Sequence, residues 1–125
     1  MTRIGRLKRR AEFLAAARAN RKWVAPGLVL QARANDASAI DSADIRLGFT
    51  ASRKVGNAVA RNRARRRLKA AAAEVLRETA VTEAATDLVL IARPATVMRD
   101  YASLKEDFRR GLKKLGIVLP TQALS

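Results

Sequence analysis

The 125-residue sequence lacks two residue types on which much enzyme chemistry depends, because it contains no cysteine and no histidine. Without cysteine there is neither a disulfide framework nor a thiolate metal site, which fits a cytosolic protein. Without histidine, imidazole-based acid–base catalysis and zinc–imidazole sites are excluded. Any chemistry of this chain must therefore come from other side chains or from a partner.

Large apolar and acidic side chains are also scarce. Hydrophobic residues make up 49% of the chain, but 26 of them are alanine, so the core must be small and rich in helix. The 11 aspartates and glutamates are scattered along the sequence, whereas a metal-dependent nuclease needs several carboxylates that converge on its metal ions. We expect these acids to lie on solvated faces, in loops and at helix caps, and we predict no metal site in the protein itself.

Long apolar runs are absent as well. The longest strongly apolar stretch is Leu88–Ala92, well short of the roughly 20 residues of a membrane span. The apolar residues after the basic start end at Arg18, too early for the hydrophobic region of a signal peptide. We therefore expect a cytoplasmic protein without a membrane partner, folded as one domain over residues 1–125, with a flexible tail at about 119–125.

Positive charge is what the sequence has in excess. The net charge is +15, the isoelectric point is near 11.7, and arginine outnumbers lysine 19 to 7. So much self-repulsion in a folded domain indicates a polyanionic partner. The guanidinium fork suits bidentate binding of phosphates and base edges, so arginine favours a nucleic acid over an anionic membrane.

Hydrophobic spacing predicts the element order αβββαβα, an α+β sandwich of helices on one four-stranded sheet. The polar stretch at 35–44 is expected to be a loop, Ser103–Glu106 a capping box for the last helix, and Gly116 its end. The predicted helices are Arg9–Ala19, a long helix capped by Asn57 and running to about Thr79, and Tyr101–Leu115. The predicted strands are Lys22–Ala25, Leu28–Ala34, Ile45–Ser52 and Asp87–Arg93.

The helix that follows Asn57 is the most informative segment. No acid occurs between Asp44 and Glu74, and successive 100° steps leave one narrow apolar stripe on an otherwise cationic first half. The stripe comprises Ala60, Ala64, Leu68, Ala71 and Val75. Like charges three and four residues apart destabilise a helix by a few tenths of a kcal/mol per pair, and an opposing phosphate backbone would relieve that repulsion. Gly56 and Asn57 also let the first free N–H groups of the helix face an anion.

Residues 48–69 resemble the protein subunit of bacterial ribonuclease P. Arg61-Asn62-Arg63 corresponds to the RNR motif of that family. Residues in the family's spacing precede it, namely Gly48, Ser52, Lys54, Gly56, Asn57, Ala58 and Val59. The similarity continues through Arg6-Leu7-Lys8 and Phe13 at the front and through residues 87–94 behind, so it covers nearly the whole chain.

The resemblance implies both a fold and a division of labour. The family fold is αβββαβα, with the RNR helix in an unusual left-handed βαβ crossover. In the family, a large catalytic RNA subunit uses magnesium-bound hydroxide to hydrolyse the phosphodiester that precedes the mature 5′ end of tRNA. The implied partners are therefore this RNA subunit and precursor tRNA, and the magnesium is used by the RNA. The protein would contribute contacts and no catalytic residue.

Two sets of binding residues follow from the resemblance. The side chains expected to contact the large RNA subunit are Arg53, Lys54, Asn57, Arg61, Asn62, Arg63, Arg65, Arg66, Arg67 and Lys69. Those expected to bind the single-stranded 5′ leader of precursor tRNA, in a cleft between the first helix and the sheet, are Phe13, Gln31, Arg33, Arg46, Thr50, Ser52 and Arg93. Ala17 and Gln31 stand where many or some relatives have aromatics, so stacking should be weaker here. Phe13 is alternatively a core residue that packs the first helix on the sheet.

Two other hypotheses use the same basic helix. A ribosomal or RNA-chaperone protein would have similar charge, but the motif at 48–69 argues against it. A helix-turn-helix repressor would present its recognition helix on a compact helical domain, whereas three predicted strands precede this helix.

Overall fold

The computed structural model describes residues 4–34, 45–78 and 86–117. These residues form three α-helices, five β-strands and two short 3₁₀ turns. In chain order the elements are β1 (Ile4–Arg6), α1 (Arg10–Arg18), β2 (Lys22–Val24), β3 (Leu28–Ala34), β4 (Ile45–Thr50), the first 3₁₀ turn (Arg53–Val55), α2 (Ala58–Glu78), β5 (Thr86–Ala92), the second 3₁₀ turn (Pro94–Val97) and α3 (Tyr101–Lys114). The predicted loop at 35–44 and the predicted tail at 119–125 lie outside the described residues.

The strands form one mixed sheet in the order β1-β4-β5-β3-β2. The α+β class and every predicted helix and strand are confirmed, but the prediction of four strands is wrong. Ile4 and Arg6 add a fifth strand by pairing in parallel with Ile45 and Leu47. Three residues are too few to show an alternating pattern in the sequence, and β1 forms because the edge of β4 offers it backbone partners.

The sheet is covered on both faces. On one face it packs against α2 and α3, where alternate residues of β3 and β5, including Leu28, Leu30, Leu88 and Leu90, have no solvent exposure. Phe108 of α3 is the largest side chain in this main core. The intervening residues point to the opposite face, which α1 covers only in part. This second face is therefore where a cleft can form.

Strands β4 and β5 are parallel neighbours in the sheet, with Ile45 opposite Thr86 and Thr50 opposite Ile91. The chain passes from one to the other through α2, so the predicted βαβ unit is confirmed. The left-handed sense of this crossover stays a prediction. Because α2 packs against both strands, its outer side is presented to solvent along its length.

The helix ends are set by specific side chains. The Asn57 side chain accepts a hydrogen bond from the Ala60 N–H at 2.9 Å, which confirms it as the cap of α2. The predicted capping box of α3 is wrong, because Asp100 is the cap and accepts from the Ser103 N–H at 3.1 Å. Gly116 ends α3 at a φ of 74°, a left-handed conformation that favours glycine.

Candidate nucleic-acid interface

The inner side of α2 follows the predicted apolar stripe. Ala64, Leu68, Ala71 and Val75 are fully buried against the sheet and α3, and Ala60 is half-buried. These small and branched side chains let the helix lie close to the strands, and they fix its rotation about its own axis. The cationic residues between them must therefore point outward.

The outer side of the first half of α2 is a cationic surface. We call the side chains of Asn62, Arg63, Arg65, Arg66 and Lys69 the basic face, and all of them except the half-buried Arg65 are exposed. No acidic residue lies on α2 before Glu74. Four members of the basic face, together with Val59, line a shallow depression. Four of its five side chains carry hydrogen-bond donors and three are cationic, a composition that suits phosphate oxygens.

Members of the basic face differ in whether they form hydrogen bonds with other residues of the protein. Arg65 donates to Asn62 Oδ1 at 2.5 Å, which holds two of the side chains in register on the helix surface. The side chains of Arg66 and Lys69 form no hydrogen bond or ion pair with any other described residue. Their donors are therefore the most available for an external anion.

Two arginines of α2 bind the chain's own backbone at the second 3₁₀ turn. The Arg67 guanidinium donates to the Thr96 carbonyl at 2.6 Å, to the Val97 carbonyl at 3.0 Å and to the Arg99 carbonyl. Arg63 donates through Nε to the Val97 carbonyl at 3.1 Å. Sequence patterning could not separate these arginines from Arg66, because the difference depends on which strand end lies beside the helix.

The entrance to α2 is built around Gly56. Its φ of 146° and the position of Ala60 exclude a side chain there, since an added Cβ would lie 2.9 Å from the Ala60 Cβ. Arg61 donates to the Gly56 carbonyl at 3.4 Å. Before this glycine, Arg53 and Lys54 are exposed on the first 3₁₀ turn. The entrance thus adds two cations beside the start of the basic face.

The predicted leader-binding residues of the strands lie on the α1 side of the sheet. Strand register pairs Gln31 with Val89 and Thr50 with Ile91, and it brings Arg33 and Arg46 to either side of a single β5 residue, Asp87. These four residues therefore lie on the same face of the sheet. Ser52 follows this face just beyond β4, where its Oγ accepts from the Lys54 N–H at 3.3 Å.

Phe13 of α1 packs against this face. It is half-buried and packs with Leu7, Val89 and Ile91. Its ring covers Gly48, because a Cβ added at that glycine would lie 2.5 Å from the ring Cε1 and 2.7 Å from Cζ. Phe13 therefore packs α1 onto the sheet while part of its side chain stays exposed, and its role in binding the leader stays a prediction.

Arg46 sits in a network of ion pairs between α1 and the sheet. Its Nε and Nη2 donate to the Asp87 carboxylate at 2.8 and 2.9 Å, and its Nη1 donates to Glu12 at 2.5 Å. Arg33 is 3.5 Å from the same aspartate. Only 11% of the Arg46 side chain and none of the Asp87 side chain are exposed. We call these four residues the Arg46 cluster.

Two members of the Arg46 cluster, Glu12 and Arg46, have shifted pKa values. Burial alone raises the pKa of Glu12, but hydrogen bonds from the Arg9 and Lys8 N–H groups and the nearby Arg46 charge outweigh burial, so its pKa lies below the ordinary value. The hydrogen bond to Asp87, followed by the charges of both carboxylates, raises the pKa of Arg46 against the effect of burial. Glu12 and Arg46 are therefore both charged at neutral pH.

The sequence did not reveal the buried acids. We expected acidic residues on solvated faces, in loops and at caps, and Asp100 confirms the last of these. That expectation is wrong for Asp87 and Asp107, which are buried. Asp107 accepts from Arg99 Nε at 2.6 Å and from the Gly27 N–H at 3.0 Å, which ties α3 to the β2–β3 turn. In the sequence, the one signal for a buried acid was that Asp87 begins an apolar strand. In the sheet it lies opposite Arg33 and Arg46.

Arg93 and Tyr101 also have internal partners. Arg93 donates to the Ala25 carbonyl at 2.6 Å and so joins the end of β5 to the β2–β3 turn. The Tyr101 hydroxyl donates to Glu74 between α2 and α3. Burial, together with this hydrogen bond, raises the pKa of Tyr101 to about 12. Tyr101 is therefore neutral at physiological pH and acts as a donor.

Across 4–34, 45–78 and 86–117, no three acidic, histidine or cysteine residues stand close enough to hold a metal ion. Over the same ranges, no helix is both long and apolar enough to cross a membrane.

Comparison with known proteins gives consistent matches. The profile of the family described as Ribonuclease P matches residues 1–116. A ribonuclease P protein component of Paramagnetospirillum magneticum is 46% identical over 97% of this chain and 90% of its own length. One from Gluconacetobacter diazotrophicus is 51% identical over 92% of this chain and 94% of its own length.

Solved structures match as well. The ribonuclease P protein of Thermotoga maritima is 27% identical, with a TM-score of 0.63 over 87% of this chain and 96% of that one. The Staphylococcus aureus protein, at 23% identity, shares the fold with a TM-score of 0.68 over 91% of this chain and 97% of that one.

Proposed function

The chain belongs to the ribonuclease P protein family, and from that membership we propose that its basic face binds the catalytic RNA subunit while the α1 side of its sheet binds the 5′ leader of precursor tRNA. As a ribonuclease P protein component, it is part of a ribonucleoprotein endoribonuclease of tRNA 5′ processing. The ribosomal-protein and repressor hypotheses are set aside by this membership.

One observation carries the assignment of the RNA subunit to α2. Arg66 and Lys69 are exposed, have no partner among the described residues, and stand on a helix that has no acid before Glu74. Such cations repel each other in the free protein, and phosphates are the partners that would turn this repulsion into attraction. Arg53 and Lys54 extend the same surface at the entrance of the helix.

The leader site is proposed to use the open part of the α1 face. Phe13 offers a ring for stacking an unpaired base, and Gln31, Thr50 and Ser52 offer hydrogen bonds beside it. Arg33 keeps about a third of its side chain exposed, so its charge is accessible there. Arg46 is neutralised by two carboxylates, so we propose that it contributes by holding α1 in place.

The hydrolytic chemistry is proposed to belong to the RNA subunit and its magnesium ions. In the described residues, the two carboxylates that approach each other across the α1 face, Glu12 and Asp87, are joined by the Arg46 guanidinium. A cation held between them makes this pair a poor magnesium site. The protein's proposed part is to position both RNAs. A cytoplasmic location, which the cysteine-free composition favours, is also part of the proposal.

The proposed RNA contact is tested by the salt dependence of assembly. The variant Arg66→Ala/Lys69→Ala should weaken binding to the RNA subunit, and the slope of log K against log salt should fall by roughly 1.5 to 2, because two phosphate contacts are lost. A matched control is Arg18→Ala/Lys113→Ala, which removes two exposed cations from α1 and α3. Equal slopes for the variant and the control would show that α2 holds no special phosphate contact.

A further inference from the structure

The two most exposed large apolar side chains of the described residues lie beside the basic face. Met98 is 79% exposed and Val59 is 74% exposed, whereas the next, Val24, is 51% exposed. Val59 lines the depression together with Arg65 and Arg66. A single exposed apolar residue is ordinary, but two exposed apolar residues that border the same cationic surface extend that surface with apolar area.

The backbone that carries Met98 is fixed from two sides. Carbonyls on both sides of this residue, those of Val97 and Arg99, accept hydrogen bonds from Arg67. On the inner side, buried Thr96 donates through Oγ1 to the Gly27 carbonyl at 2.5 Å. A turn held by so many hydrogen bonds nevertheless leaves its methionine almost fully in solvent.

Arg67, unlike Arg66, therefore forms hydrogen bonds with the protein's own backbone. Its two Nη atoms already serve three carbonyls, and its side chain is half-buried between α2 and the turn. A guanidinium in this position can still contribute long-range charge, but most of its five N–H donors are directed at the chain's own carbonyls. Its geometric effect is to place the turn, and with it Met98, alongside Arg63.

We propose that Met98 and Val59 each form an apolar contact with unpaired nucleotides of the RNA subunit, and that Arg67 is a positioning residue that holds Met98 for its contact. This inference rests on the proposed binding of the RNA subunit by the basic face. In an RNA strand, each base or ribose offers an apolar surface next to a phosphate. This arrangement matches apolar side chains at the edge of a cationic protein surface. Methionine suits such a contact because its unbranched thioether adapts to irregular surfaces.

The contact is tested by comparing apolar and cationic variants in RNA-subunit binding. Met98→Ala should weaken binding by about 5- to 10-fold with an unchanged salt slope, since burial of apolar surface releases no counterions. Val59→Ala should act in the same way. Val24→Ala, an exposed apolar truncation on β2, is the control and should leave affinity unchanged. Unchanged affinity of Met98→Ala, or an equal loss in the control, would overturn the inference.

The role of Arg67 must be tested by a measurement that a loss of stability alone would not change. In a double-mutant cycle, Met98→Ala should cost at least twofold less in the Arg67→Ala background than in the native protein, because the methionine is no longer held in place. Additive effects would mean that Arg67 only stabilises the fold. Arg66→Ala, measured in parallel, separates this inference from the proposed function. If the Arg66→Ala variant has a lower salt slope while Met98→Ala leaves the affinity unchanged, the basic face binds RNA and only the apolar contact is refuted.

Discussion

At the scale of single residues, arginines that look equivalent in the sequence have different tasks. Arg66 faces solvent without a partner among the described residues, whereas Arg67, one position later, binds three carbonyls. Arg46 is enclosed by two carboxylates, but Arg33 on the neighbouring strand keeps part of its side chain exposed. The number of arginines therefore overestimates the number of guanidinium groups that are free of internal partners, and the geometry of those partners decides which donors are available.

Phe13 is the residue whose two roles can be separated by experiment. Phe13→Ala should reduce the affinity of the assembled enzyme for precursor tRNA with a leader by about 5- to 10-fold, the low end of the range for a base stacked on an aromatic ring. Affinity for mature tRNA, which lacks the leader, should change little. Both affinities are measured with the reconstituted ribonucleoprotein.

Leu7→Ala is the matched control for Phe13. Leu7 is buried in the same small cluster, so its truncation loosens α1 without removing a ring. If Leu7→Ala discriminates between precursor and mature tRNA as strongly as Phe13→Ala does, the leader effect comes from helix docking. A stability loss of about 3–5 kcal/mol in Phe13→Ala would likewise identify the ring as a core residue.

At the scale of elements, helix and strand positions were predictable because they depend on local spacing. The apolar stripe of α2 and the alternation of β3 and β4 fixed which sides face the core. What could not be predicted depends on distant partners. Strand β1 exists through its pairing with β4, and the Arg46 cluster joins residues from α1, β3, β4 and β5. Local sequence patterns cannot predict such long-range contacts.

The docking of α1 should depend on acid pH through Glu12. Because the pKa of Glu12 is lower in the folded chain than in the unfolded one, its contribution is fully present above about pH 4.5 and is lost as the pH falls through the folded value. Glu12→Gln should therefore lower the melting temperature at pH 7 and should flatten its decline between roughly pH 5 and pH 3. Thermal melts over this range measure both effects.

Glu106→Gln provides the comparison for Glu12. Glu106 pairs with Arg109 at 3.2 Å, but 47% of its side chain is exposed, so its ion pair is screened by solvent. This variant should leave the pH profile close to that of the native protein. If both variants shift the profile equally, the Arg46 cluster has no special role in holding α1.

At the scale of the whole molecule, charge and chemistry are divided between protein and partner. The chain carries a net charge of +15 but contains neither histidine nor cysteine. Where the structure describes them, the acids are mostly engaged: Glu12 and Asp87 with Arg46, Asp107 with Arg99, and Glu74 with a tyrosine hydroxyl. A protein arranged in this way is suited to gather polyanions.

The purified protein, freed of RNA, should therefore fail to cleave precursor tRNA in the presence of magnesium. Adding the RNA subunit should restore removal of the leader at the mature 5′ end, because the proposed hydrolytic centre belongs to the RNA. Cleavage is followed on a 5′-labelled precursor after exhaustive nuclease treatment and repurification of the protein. The Arg66→Ala/Lys69→Ala variant controls for residual RNA, since it should co-purify with less of it. Site-specific leader removal that survives this treatment equally in both proteins would place a catalytic group in the protein and contradict the division of labour.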